Sequence, residues 1–184
     1  TNHITTIEFF HPAQNSLPGH LLNELVTHIN QAGDDENTIL IVLKSAGDRS
    51  FCAGASFTEL AAIQDFEIGK KFFMGFAIVI NAIRKCPKIV MGRVHGKAVG
   101  GGVGLAAACD YCMATKYASV RLSELAVGIG PFVIGPAVER KIGLSAFSQM
   151  ALNATEWKTA EWAKQKGLFT ESFESVGQLD AYIT

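Results

Sequence analysis

Three places in the chain carry residue types suited to chemistry. They are the glycine run Gly100-Gly101-Gly102, the small-residue segment Ala53-Gly54-Ala55, and an acid, Glu124, set among the apolar Leu122, Leu125 and Val127. Backbone N–H groups of a glycine run directly ahead of a helix, with the positive end of the helix dipole behind them, favour an oxygen carrying negative charge. The missing side chains also let a ligand approach the main chain closely. Neither common phosphate motif fits: a dinucleotide fingerprint needs its third glycine where Leu105 stands, and a Walker A reading of Gly92 with Gly96-Lys97 is one residue short and is followed by Ala98. The run therefore reads either as an oxyanion hole or as tight strand-to-helix packing with no ligand. Ala53-Gly54-Ala55 follows a buried strand and could supply a second N–H at the same sheet edge. Glu124 reads either as a proton carrier, its pKa raised by apolar neighbours, or as a solvated or capping residue after Ser123.

Other candidates carry less. Cys109 and Cys112 spell C-x-x-C, but no second pair and no nearby His completes a zinc site. With Cys52 and Cys86 they suit reduced thiols in apolar surroundings. His95 ends a buried strand and reads as structural. His11 and His20 have no partner spacing, and Lys97 faces either a phosphate or solvent.

The elements that must position these groups alternate. Segment 3–10 has strand character, apolar positions 21–29 recur at helical spacing, and 39–43 is a short apolar run of the kind buried on both faces of a parallel sheet. A loop over 51–56 and a helix over 67–84 follow, ended by Pro87. Next come a strand over 89–95, a glycine loop over 96–102, a helix over 103–108 and a strand over 111–114. From Ser145 onward the pattern is helical. Such alternation predicts an α/β fold with right-handed crossovers.

Bulk properties exclude several classes. The chain has 184 residues, 48% hydrophobic and 18% charged, with a net charge of −1. That suits one core and lacks the basic footprint of a nucleic-acid binder. The apolar runs 39–43 and 105–109 are far below the roughly 20 residues of a membrane-spanning helix. The start, Thr1-Asn2-His3, shows no signal peptide, although it also lacks Met. A soluble, cytoplasmic protein is expected.

Read in order, Asn15-Ser16-Leu17, Phe51-Cys52-Ala53-Gly54-Ala55, His95-Gly96-Lys97-Ala98-Val99-Gly100-Gly101-Gly102, Cys109-Asp110 and Ser123-Glu124-Leu125-Ala126-Val127-Gly128-Ile129 resemble the signals of the crotonase superfamily. Ala160, Ala163 and Gly167-Leu168 resemble its late helix. The likeness to this enoyl-CoA hydratase/isomerase family implies a crotonase (ClpP/crotonase-like) α/β fold of repeated ββα units with a short helical C-terminal part. The core would span 1–144, and 145–184 would begin a C-terminal helical region that family members continue by several tens of residues. The resemblance implies that the N–H groups of Ala55 and Gly101 bind a thioester carbonyl, while Glu124 moves a proton. It also places Ala53, Gly54, Gly100, Gly102, Pro131 and Phe132 in substrate binding, with Ala53 offering its carbonyl to the adenine of coenzyme A. Coenzyme A arrives as part of the acyl-CoA substrate, no other cofactor or metal is implied, and a homo-trimer or dimer of trimers is expected.

Two departures stand out. Family hydratases carry a first glutamate where this chain has Gly104, and an Asp where it has Ser56. The resemblance points to hydration of a 2-enoyl-CoA, and Gly104 with the intact Ser123-Glu124-Leu125 and the following Gly130-Pro131-Phe132 is similar to hydratases acting on methylglutaconyl-CoA-like substrates, some of which share this glycine. The alternatives are an enoyl-CoA isomerase using Glu124 alone and a non-catalytic acyl-CoA-binding protein.

Overall fold

The structure is a computed structural model that describes residues 3–184. It opens with strand β1 (Ile4–Phe9), the two-residue β2 (Ser16–Leu17) and helix α1 (Gly19–Asp34). Three strand-strand-helix units follow. The first is β3 (Leu40–Ser45), β4 (Ser50–Cys52) and β5 (Gly54–Ala55), leading into α2 (Phe57–Ala61) and α3 (Phe66–Lys85). The second is β6 (Ile89–Val94), β7 (Lys97–Val99) and α4 (Gly101–Ala108). The third is β8 (Tyr111–Thr115) and β9 (Ser119–Arg121), then a single 3₁₀ turn (Leu125–Val127) and α5 (Gly135–Leu152). The chain closes with β10 (Lys158–Thr159), α6 (Ala160–Gln165), β11 (Glu171–Phe173) and α7 (Val176–Ile183). This is the repeated ββα architecture expected from the sequence.

In each unit the first strand enters one sheet and the second another. The large sheet has the order β1-β3-β6-β8-β11, and every adjacent pair in it is parallel. The small sheet has the order β10-β9-β7-β4. Ile41, Val42 and Leu43 of β3 are all buried, as a central parallel strand covered on both faces requires. α1 buries Leu22, Leu25 and Ile29 and packs on α3, which buries Phe76, Val79, Ile80 and Ile83. Asp65 caps α3 by accepting from the Ile68 N–H at 2.8 Å, and Arg84 and Lys85 complement the dipole at its far end. All eight residues of α4 are buried, which a helix of Gly, Ala, Val and Leu tolerates on every side.

Several segments differ from their sequence expectations. The loops expected over 51–56 and 96–102 contain β4, β5 and β7, and α4 starts two residues before position 103. Strands of two or three residues are shorter than any periodicity can register. α5 begins ten residues ahead of Ser145, with Pro136 in its first turn and a break at Gly143. The C-terminal part carries strands as well as helices, and β11 adds a strand to the large sheet beside β8.

No helix among the described residues is long and apolar enough to cross a membrane. All four cysteines are free, and burial pushes the Cys109 thiol up to about 12. Among the described residues no group of three or more His, Cys, Asp or Glu is placed to hold a metal ion.

Candidate active site

Parallel register brings the ends of three short strands together. β4 runs beside β7 with Cys52 opposite Ala98, and β7 beside β9 with Val99 opposite Arg121. Ala53-Gly54-Ala55, Gly100-Gly101 and Ser123-Glu124 therefore leave the small sheet at one edge, the carboxyl edge at which parallel sheets gather their ligands.

The first loop is held from behind by Asn15, which is buried at φ +57°. Its amide donates to the Ala46 carbonyl at 2.8 Å and to the Ser50 carbonyl at 2.9 Å, and its side-chain oxygen accepts from the His11 N–H at 2.8 Å. Its own carbonyl accepts from the Ala53 N–H at 3.3 Å. β2 pairs with β5, and the Ser16 hydroxyl donates to the Ala55 carbonyl at 3.2 Å. Gly54 has φ +91°, and a Cβ there would lie 3.1 Å from the Val99 carbonyl oxygen and 3.6 Å from the Gly101 nitrogen. The two loops meet main chain to main chain, and only glycine permits both the approach and the dihedral angle.

In the second loop Gly100 turns at φ +51° and ψ −113°. Its N–H donates to the Arg121 carbonyl at 2.9 Å, which ties the loop to β9. Its carbonyl accepts from Val103 and Gly104, starting α4. Gly101 is the first residue of that helix, so its N–H has no intrahelical acceptor. Among the described residues, none of the hydrogen bonds outside the regular elements uses it. This is an unspent donor at the positive end of a helix, beside Gly54.

Glu124 sits at the head of the 3₁₀ turn, where its main-chain carbonyl accepts from Val127 and Ile129, both at 3.1 Å. Its side chain points back at the second loop, with Oε1 2.9 Å from where a Cβ on Gly100 would stand. Oε2 is buried with no hydrogen-bond partner among the described residues. Burial raises the pKa of this carboxyl above the ordinary value, as its apolar neighbours led one to expect.

These groups line one cavity of about 200 Å³. Ala53, Gly54, Ala55, Gly100, Gly101, Glu124 and Pro131 all face it. Gly102 does not: a Cβ there would overlap the Cys52 carbonyl, so its role is close packing of α4 on β4. Phe132 also lies outside the lining, 85% exposed, with its ring over Gly130. Missing from the sequence reading is the facing wall, made by Phe57 and Leu60 of α2 with Phe72, Phe73 and Phe76 of α3. Phe72 and Phe73 were the available signal, since two adjacent aromatics cannot both point into the core from one helix. Of the remaining candidates, Lys97 places its ammonium 5.0 Å from the Trp157 ring centroid. His95 is buried, with Nδ1 3.4 Å from an Arg93 guanidinium nitrogen, in a network that fixes Arg93 to Asp180 of α7.

The model of the enoyl-CoA hydratase/isomerase family matches residues 1–181. The chain belongs to that family. Methylglutaconyl-CoA hydratase of Homo sapiens is 31% identical over 169 residues, covering 91% of this chain and 49% of that protein. Short-chain-enoyl-CoA hydratase of Clostridium acetobutylicum is 30% identical over 150 residues, covering 81% and 57%. The chain thus spans about half the length of these curated relatives. Among solved structures, an enoyl-CoA hydratase of Mycobacterium smegmatis superposes with a TM-score of 0.92 at 31% identity, over 99% of this chain and 70% of that one. The enoyl-CoA hydratase/isomerase fold is therefore present from β1 through α7.

One of the departures read from the sequence, Gly104, has a clear packing environment. A Cβ on Gly104 would lie 2.5 Å from Ile134 Cγ2 and 3.1 Å from Ile80 Cδ1. Where the resemblance leads one to look for a first glutamate, the volume is filled by hydrocarbon. Glu124 is the single acid among the lining residues, and Lys, Arg and His are missing from that lining.

Proposed function

We propose that the chain forms the catalytic core of an acyl-CoA enzyme that hydrates a 2-enoyl-CoA. The observation that carries this reading is the aim of Glu124, whose buried carboxyl faces the Gly100-Gly101 loop across the cavity. In this reading the N–H groups of Ala55 and Gly101 hold the thioester oxygen, and Ala53 offers its carbonyl to the adenine. Water attacks the β-carbon and the double-bond electrons move through the α-carbon to the thioester oxygen. Glu124 takes the proton that water loses and returns a proton to the α-carbon, so the enolate collapses to the hydroxyacyl thioester. Each oxyanion donor is worth about 3–4 kcal/mol in such a step. A carboxyl of raised pKa passes a proton more readily near neutral pH than an exposed one. The methylglutaconyl-CoA hydratase relative supports a short, branched substrate.

A second reading, isomerisation of a 3-enoyl-CoA, is favoured by the hydrocarbon packed over Gly104. It needs one carboxylate, which removes a proton at the α-carbon and returns it at the γ-carbon. Offering 2-enoyl-CoA, 3-enoyl-CoA and methylglutaconyl-CoA to the parent protein and to Glu124→Gln separates the readings by product. The variant is expected to lose about 100-fold or more in turnover. Unchanged turnover in Glu124→Gln would remove the proton-carrier role. No turnover of any substrate by the parent would leave acyl-CoA binding alone. A homo-trimer or dimer of trimers in the cytoplasm is the expected setting.

A further inference from the structure

Ile134 and Phe76 are the two large apolar side chains of the cavity lining that are themselves buried, at 3% and 4% exposure. Phe57 and Val127, also in the lining, are more than half exposed and mark its open side. Depth therefore runs from that mouth to Phe76 and Ile134. Phe76 lies over Gly101, because a Cβ on that glycine would overlap its ring. Ile134 stands one helical turn farther along α4. A Cβ on Gly104 would be 2.5 Å from its Cγ2 and 2.9 Å from its Cβ, and Ile80, one turn beyond Phe76 on α3, approaches the same point. Gly104 and Ile80 do not reach the open space; Ile134 closes it off from them.

We propose that Ile134 is a specificity-determining residue that ends the acyl pocket, and that Gly104 sets the pocket depth by letting Ile134 lie back against α4. The inference rests on the reading of the ligand as an acyl-CoA. An acyl chain whose thioester oxygen sits at Gly101 and whose α-carbon sits at Glu124 passes Phe76 and stops at Ile134. A cavity of about 200 Å³ falls below the roughly 300–1,000 Å³ of drug-sized sites, which suits a short acyl group rather than a long one. Phe76 and Ile134 make the end of that pocket apolar.

Butanoyl-, hexanoyl-, octanoyl- and decanoyl-CoA are titrated calorimetrically into the parent, Ile134→Ala, Ile134→Val and Gly104→Ala. Turnover of the matching 2-enoyl-CoAs is measured alongside, and near-ultraviolet circular dichroism checks that each variant retains a packed core. The parent is expected to bind the shortest chains best. In Ile134→Ala the octanoyl-to-butanoyl Kd ratio should fall about tenfold, the effect of one methylene in an apolar pocket. In Ile134→Val it should fall less, which keeps the test open if the alanine variant does not fold. Gly104→Ala pushes Ile134 into the cavity and should move the ratio the opposite way. An unchanged chain-length order in folded variants of a parent that binds acyl-CoA would overturn the pocket end and leave the functional reading standing. A parent that binds no acyl-CoA of any length would overturn the functional reading, and this inference with it.

Discussion

Two walls face each other across the cavity. On one side Ala53-Gly54-Ala55 and Gly100-Gly101 present main chain, fixed by Asn15, the Ser16 hydroxyl and the Arg121 carbonyl. On the other, α2, α3 and the 3₁₀ turn present side chains, and Phe57 is 70% exposed. The main-chain wall is made of hydrogen bonds, whose geometry fails over fractions of an ångström. The side-chain wall is made of dispersion and desolvation, which tolerate substitution at roughly conserved volume. Chemistry common to a family belongs on the first, and preference among substrates on the second. Glu124 bridges them, standing at the head of the 3₁₀ turn while its carboxyl faces Gly100.

The sharpest way to break the main-chain wall is Gly100→Ala. The new methyl would sit 2.9 Å from Glu124 Oε1 at a φ of +51°, so it strains the turn and displaces the carboxyl together. A misplacement of about 1 Å costs roughly 100-fold in rate. The expected loss in kcat is thus about 100- to 1,000-fold, measured by steady-state hydration. Because both substitutions remove one function, Gly100→Ala with Glu124→Gln should cost little more than either alone. Fully multiplicative losses would show that Gly100 and Glu124 act separately.

Asn15→Ala attacks the same wall from behind. It removes three side-chain hydrogen bonds and leaves two carbonyls, of Ala46 and Ser50, without that donor. A buried group left unsatisfied costs about 1–3 kcal/mol. Urea unfolding should therefore report a loss of about 2–4 kcal/mol, with kcat falling further than KM rises, since the first loop loosens. A loss below about 0.5 kcal/mol, the range of an ordinary surface substitution, would mean that Asn15 does not hold the loop.

The difference between the walls also governs what could be read from the sequence. Ala53-Gly54-Ala55 and Gly100-Gly101 were legible because a main chain approached this closely needs small residues in consecutive positions, and those leave a pattern. The alternation of 39–43, 67–84 and 89–95 with glycine loops gave the parallel architecture, because buried parallel strands are continuously apolar. β4, β5 and β7 were not legible, since two or three residues cannot display a period. The Gly104 to Ile134 contact was hidden for another reason: it joins positions thirty residues apart, and nothing local to Ile134 indicates what it faces. Gly102 shows the converse, because its type fits a binding loop while its direction makes it a packing residue against Cys52.

Glu124 itself should register in stability as well as in catalysis. Burial holds its carboxyl above the ordinary value, so the folded protein binds this proton more tightly than the unfolded chain does. The favourable contribution is fully present below the ordinary carboxylate range and is lost as pH rises through the raised folded value. Glu124→Gln, neutral at every pH, escapes that loss. Its Tm should exceed the parent's at pH 7 and match it near pH 3, below the ordinary carboxylate range. Equal differences at both pH values would show that the carboxyl is not desolvated in the folded state.

The side-chain wall predicts the smallest effect. Phe57→Ser removes an aromatic ring that already lies mostly in water, so global stability should change by less than about 0.5 kcal/mol. The same ring lines the mouth of the cavity beside Leu60, so acyl-CoA should lose part of its apolar contact there. Truncating one such side chain should raise KM by about three- to tenfold, below the roughly 1.5–3 kcal/mol of a fully buried side chain, and leave kcat nearly unchanged. A fall in kcat comparable to that of Gly100→Ala would mean that the side-chain wall takes part in the chemical step, and the division between the walls would not hold.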